Sequence, residues 1–207
     1  MNTLVVVSHP DPHSLTHQVA HSVIDAIRST GNAVETADLA AESFDPRFSA
    51  ADLSLYRGSG STPSDIAAEQ TRIDRAEHLV LVFPMYWWSM PALLKGWIDR
   101  VFVDGWAYEY GDRTFVKKLD RLTVHLVVVA GDDADSFERH GVYQAVRTQI
   151  ERGIIEYCGA TVGSTNFLYG SDTRSREELA AEVFAVGRTV ADRVAGRAES
   201  ASQRVLT

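Results

Sequence analysis

The sequence predicts a doubly wound α/β fold, with one five-stranded parallel sheet and helices on both faces. Five short apolar runs mark the strands: Leu4–Val7, Val34–Leu39, Leu79–Phe83, Leu122–Ala130 and Thr161–Leu168. The first, third and fourth are continuous in Leu, Val and Phe, as strands covered on both faces are. Between the runs, apolar residues recur at helical spacing. Strands alternating with helices mean βαβ units, right-handed crossovers and a parallel sheet.

The elements follow in order. After the first strand, "SHPDPHSLTHQVA" turns into a helix striped by Leu15, Val19, Val23 and Ile27, with Ser14 or Thr16 near its N-cap. "RGSGSTPSD" (57–65) is low in complexity, and its "GSGS" follows no strand, so it reads as a linker. Pro84 ends the third strand, and a helix striped by Leu93, Leu94, Trp97, Ile98 and Val101 follows, with Ser89 as N-cap and Pro91 in its first turn. Further stripes are Val142, Val146, Ile150, Ile154 and Leu179, Val183, Val186, Val190, Val194. Five strands favour the flavodoxin-like order 2-1-3-4-5. Residues 1–196 read as a single domain, and 197–207 as a frayed or disordered tail.

A chain of 207 residues suits one α/β domain. The net charge of −8 argues against non-specific binding to nucleic acid or anionic membrane, which needs clustered cations. A single cysteine, Cys158, rules out an intramolecular disulfide and points to a reducing compartment. The start "MNTLVVVSHP" lacks a basic region and a long apolar run, and no run approaches the ~20 residues of a membrane span. The expectation is a soluble cytoplasmic protein.

In such sheets ligands bind beyond the carboxyl ends of the strands, at the switch point. The loops after strands one, three and four are therefore the ones to inspect. In the first, the helix N-terminus offers unpaired N–H groups to a phosphate, with His9, His13, Ser14 and Thr16 as further donors. There is no G-x-G-x-x-G, so a plain capped turn is as good a reading. His13, His17 and His21 share helical spacing, but without H-E-x-x-H they read as surface or phosphate-side residues and no metal is expected. In the third loop, Tyr86, Trp87 and Trp88 form either a packing lid or a stacking wall for a flat ligand, and the switch point favours the wall. "GWAYEYG" carries Trp106, Tyr108 and Tyr110, suited to an interface or to local packing. The fourth loop, "AGDDADSFERHG", has Gly131 for close backbone approach and His140, either an acid–base group or a surface residue. Asp132, Asp133 and Asp135 read as loop acids rather than Mg²⁺ ligands, and Cys158 as a buried thiol late in a helix.

"FPMYWWSMPALLKGWIDRVF", "GWAYEYG", "SHPDPHSLTHQVA", "SDIAAEQ" and "EYCGA" together resemble the flavodoxin-like NAD(P)H:quinone oxidoreductases, over about residues 3 to 170. That family includes mammalian-type quinone reductases and reductases that accompany potassium-efflux systems. The resemblance implies a homodimer with a flavin at each interface cleft and two-electron, ping-pong hydride transfer from NAD(P)H to a quinone or similar flat acceptor. By position, His9, Ser14, Leu15 and Thr16 fall at the flavin phosphate and ribityl chain. Pro84, Met85, Tyr86, Trp87 and Trp88 flank the ring, and Ala130, Gly131 and Asp132 meet its polar edge. Tyr108 and Tyr110, with Trp106 beside them, match aromatics lining the substrate pocket from the partner subunit. Mammalian-type members place a Tyr and a His after strand four. Here Phe137 stands near the Tyr position, His140 is offset by about two residues, and Tyr143 is a further candidate for the catalytic role. The short "YRGSGSTP" favours FMN over FAD. The family leaves two alternatives: a regulatory subunit in peripheral contact with a membrane transporter, or a flavodoxin-type electron carrier.

Overall fold

A computed structural model describes residues 1–111 and 114–196, so the expected tail lies outside the described residues. The five strands of the main sheet are β1 (Asn2–Val7), β2 (Ala33–Asp38), β3 (His78–Pro84), β6 (Thr123–Val129) and β7 (Thr161–Leu168). Two short strands, β4 (Tyr108–Tyr110) and β5 (Phe115–Lys117), form an antiparallel hairpin between them. The sheet order is β2-β1-β3-β6-β7 and all its pairings are parallel, matching the order expected from the sequence.

Alternation along the strands divides the core. Val5, Val7, Val80, Val82, Val127 and Val129 face α1 (Leu15–Ser29) and α7 (Arg176–Val194). Leu4, Val6, Leu79, Leu81, Phe83 and Leu126 face the opposite side. There they pack against α3 (Ser64–Asp74), α4 (Ala92–Val101) and the segment that follows α6 (Val142–Val146). Apolar residues on both sides of each central strand are what a sheet covered on both faces demands.

Several expectations need correction. Pro91, not Ser89, is the N-cap residue of α4, because Ser89 closes a turn with Tyr86 in which each N–H donates to the other's carbonyl. The linker joins two helices that the sequence did not announce clearly, α2 (Ala50–Tyr56) and α3. The fourth loop contains α5 (Ala134–Arg139), capped by Asp133, whose side chain accepts from the Ser136 N–H. The stripe from Val142 to Ile154 is not one α-helix: Arg147–Glu156 winds as a π-helix, which buries Ile155 and leaves Ile154 half-buried. Cys158 lies in the turn after that helix and is buried.

Two buried polar systems stand out. Arg100 in α4 is 5% exposed and donates to both oxygens of Asp52 at 3.1 Å, to the Asp45 carbonyl at 2.8 Å and to Asp65 at 2.8 Å, pinning α2 and α3 to α4. Burial alone would raise the Asp52 pKa, but bonds from Ser49 and Arg100 outweigh it and hold the carboxyl below its usual range. The second system crosses the α1/α7 face: Asn166 donates to Ser164 at 3.0 Å, Ser164 meets His125 Nδ1 at 3.0 Å, and His125 Nε2 meets His78 Nδ1 at 3.2 Å. The β6–β7 register skips Gly163 beside His125, and a side chain there would collide with the imidazole.

Candidate functional site

Three loops at the carboxyl edge build one cleft. At its first end, Ser14 at the N-cap of α1 has extended backbone and accepts from the His17 N–H. Ser14 N–H bonds to Asp11, while among the described residues Leu15 and Thr16 N–H find no acceptor. These are the free amides a helix N-terminus presents to an anion. A cavity of about 350 Å³ opens on them, lined by His9, Ser14, Thr16, Met85, Tyr86 and Asp172, with Leu15 and Pro84 alongside. His9 is half-buried and its Nδ1 accepts from the Asp11 N–H at 3.0 Å.

His17 departs from the surface reading. It is 5% exposed, with Nε2 2.8 Å from Asp38 and Nδ1 3.0 Å from the Ser14 hydroxyl. Among the described residues, no three His, Cys, Asp or Glu side chains group as a metal site.

At the other end stands the aromatic loop. Trp87 and Trp88 have φ of +51° and +57°, a left-handed backbone that L-residues other than Asn, Asp and Gly avoid. The turn has the positive-φ pattern of a type I′ hairpin. Trp87 is fully exposed, and Tyr86 and Trp88 are half exposed. The packing-lid reading is therefore incorrect: no indole of this turn enters the core, because the turn projects outward from Pro84. Tyr86 and Ser89 N–H are used within the turn, and those of Trp87 and Trp88 have no acceptor among the described residues.

A second cavity of about 360 Å³ lies against this wall, lined by Met85, Trp87, Trp88, Gly131, Phe137 and His140, with Asp132 and Ser136 at its polar side. Met85 and Gly131 line both cavities, so the helix-terminal end and the aromatic end adjoin. Both volumes fall in the ~300–1,000 Å³ range of small-molecule sites. Gly131 lets the Asp172 carboxylate approach closely: a Cβ there would force that exposed side chain to swing aside. Ala130 is wholly buried and contributes backbone only, its N–H donating to Leu168.

His140 Nδ1 bonds the Ser136 carbonyl at 2.9 Å, which fixes the proton on that nitrogen and leaves Nε2 free. Its ring lies 6.0 Å from Trp88. Ser136 donates to Asp132, and with the Asp133 N–H this holds the Asp132 carboxyl below the usual range. Phe137 is buried beneath the cavity, in a cluster with Tyr143, Phe167 and Tyr169. The Tyr143 hydroxyl is bonded to the Tyr169 hydroxyl.

The remaining aromatics are elsewhere in the protomer. Trp106 packs edge-on to Phe102 and bonds Asp74 through its indole, so it does not line this cleft. Tyr108 and Tyr110 stand on the hairpin, which is tied by Leu119 N–H to the Cys158 carbonyl just before β7. That is the amino-terminal end of the sheet, opposite the cleft. Burial pushes the Cys158 thiol up to about 11, which leaves it unreactive near neutrality.

The sequence reading missed the loop after β7. Its Ser171 and Asp172 line the first cavity, and Gly170 and Ser171 N–H donate to Asp132 and Ala130, stitching it to the loop after β6. The available signal was position alone: "YGSD" directly follows the fifth strand at the same edge.

A family model described as flavodoxin-like fold matches residues 1–188. The chain is 28% identical over 185 residues to NAD(P)H dehydrogenase (quinone) 1 of Rattus norvegicus, covering 80% of this chain and 68% of that one. Among solved structures, an NAD(P)H:quinone oxidoreductase from Methanothermobacter marburgensis superposes with a TM-score of 0.82 at 23% identity, covering 92% of this chain and 98% of the other. General stress protein 14 of Treponema denticola, solved in complex with FMN, gives 0.64 at 26% identity, covering 95% and 98%.

Proposed function

The chain belongs to the flavodoxin-like fold family, and from that premise we propose that it is a cytoplasmic, homodimeric, flavin-dependent NAD(P)H:quinone oxidoreductase. The observation that carries the reading is the adjacency, across Met85 and Gly131, of free helix-terminal amides and an outward-facing aromatic wall. A phosphate-bearing planar molecule fits both ends. The relatives' names supply the reaction class, and the FMN complex of the Treponema protein supports FMN.

A flavin held here would supply the hydride-transfer chemistry between NAD(P)H and a flat acceptor. The protein positions and stabilises. Leu15 and Thr16 N–H and the Ser14 hydroxyl would hold the flavin's phosphate. Met85, Trp87 and Trp88 would flank its ring and shield it from water. The N–H groups of Trp87, Trp88 and Gly131, which have no backbone acceptor among the described residues, would be available to stabilise negative charge in the aromatic cavity. With Phe137 lacking a hydroxyl and Tyr143 bonded to Tyr169, His140 Nε2 is the group placed to exchange a proton in the aromatic cavity. One cavity then serves donor and acceptor in turn, which is ping-pong behaviour.

The dimer is supported by the hairpin's position. Tyr108 and Tyr110 cannot reach their own cleft, and beside them runs an apolar groove of about 480 Å³ with Phe48, Leu53, Tyr56 and Tyr157 in its walls. A second copy covers this surface and brings the tyrosines to the neighbouring cleft. Purified protein is expected to be yellow, to release FMN on denaturation, and to be bleached by NAD(P)H and recoloured by quinone. Colourless protein that takes up neither FMN nor FAD refutes the reading.

A further inference from the structure

The buried array Ser14–His17–Asp38 joins two cavities. Ser14 lines the cleft at the α1 N-terminus. His17 and Asp38 line a separate cavity of about 430 Å³ behind α1, together with His21, Asp25 and Arg28. His17 sits between them, 3.0 Å from the Ser14 hydroxyl and 2.8 Å from Asp38.

The hydrogen inventory of this array admits two arrangements. Nε2 carries a proton in both, because it faces a carboxylate. With neutral imidazole, Nδ1 has only a lone pair, so the Ser14 hydroxyl must donate to it. Ser14 Oγ then presents only lone pairs to the cleft, and an incoming phosphate meets an acceptor. With imidazolium, Nδ1–H donates to Ser14 Oγ, and the hydroxyl proton turns to the cleft. Turning the hydroxyl without adding a proton leaves two buried lone pairs face to face, which costs a full unmade hydrogen bond.

Resting on the flavin reading above, we infer that His17 couples phosphate binding to uptake of one proton, which Nδ1 receives from the cleft side through the Ser14 hydroxyl while Asp38 holds Nε2–H. Linkage makes the coupling reciprocal: the phosphate favours the imidazolium, and the imidazolium tightens the phosphate. The charged and titratable groups around His17 are its α1 neighbours His21, Asp25 and Arg28, Asp38 from β2, His9 and His13 from the first loop, Asp172 from the loop after β7 and Arg176 at the start of α7. His9 and His21 rings lie 6.3 and 6.4 Å from His17, so a variant at His17 is needed to separate it from them.

The test measures FMN and riboflavin affinity by flavin fluorescence quenching between pH 7 and 9. In this range the phosphate's own ionisation near 6 is complete. FMN affinity is expected to weaken with rising pH by at most tenfold per unit, the limit for one proton, while riboflavin affinity stays flat. His17→Gln, whose amide never titrates, is expected to abolish the FMN slope. A flat FMN profile, the same slope with riboflavin, or a slope surviving in His17→Gln overturns the inference. Should His17→Gln not fold, Asp38→Asn must move the FMN fall to lower pH, and no movement overturns it. Absence of any flavin binding by the unmodified protein is a different result, which removes the flavin reading itself.

Discussion

Acidification should loosen this fold in a way that one residue dominates. His125 is 1% exposed, and burial, then the neighbouring His78 and Arg193, pull its pKa down to about 4. The unfolded chain titrates this imidazole near 6.5. The folded value is depressed, so its contribution is fully present above pH 6.5. It is lost as pH falls toward 4, while the unfolded chain takes up the proton that the folded one refuses. The interval from 6.5 to about 4 corresponds to about 3 kcal/mol at 1.36 kcal/mol per unit. The hydrogen-bond chain agrees: if Asn166 donates to Ser164 and Ser164 to His125 Nδ1, then His125 Nε2–H donates to His78, and a second proton on His125 must go to Nδ1, where it removes the acceptor of the Ser164 hydroxyl. His78 is also lowered by burial and adds to the loss. Urea midpoints at pH 7, 5.5 and 4.5 measure the effect, and His125→Gln, which cannot titrate, should flatten most of it. Equal pH dependence in both proteins would refute the assignment to His125.

Trp87→Asn should raise stability while impairing function. The left-handed backbone costs a bulky residue roughly 1–2 kcal/mol, Asn tolerates it, and a fully exposed indole gives up no burial. A gain of about 1 kcal/mol, ~2–4 °C in Tm, with FMN retention down more than tenfold, is expected; a fall in Tm would show that the turn stores no strain. Arg100→Leu leaves Asp52 charged and buried, and should lose about 3–5 kcal/mol in chemical denaturation. A loss under 1 kcal/mol would mean that α2 is held by its apolar contacts alone.

The sheet was legible because each central strand carries a run of at least three consecutive Val, Leu or Phe residues, in β6 after His125, a pattern few other environments tolerate. The first and third loops were legible because position at the switch point and residue chemistry agree. The hairpin was not, since three-residue strands carry no periodicity. Nor was the π-helix: its stripe has α spacing, and only packing on the sheet selects Ile155 over Ile154. His17 reads as a polar residue on an amphipathic helix. Its burial follows from Asp38 arriving on β2, a contact 21 residues away that local spacing cannot encode. Asp172 escaped because its role depends on which loop crosses above Gly131.

The seam joining Gly170 and Ser171 to Asp132 and Ala130 extends the β6–β7 pairing beyond the strands themselves. The floor of the cleft is thereby a continuation of the sheet rather than a movable flap. Anything seated on that floor leans on the same ladder that holds the domain together, so what fills the cleft also braces the sheet.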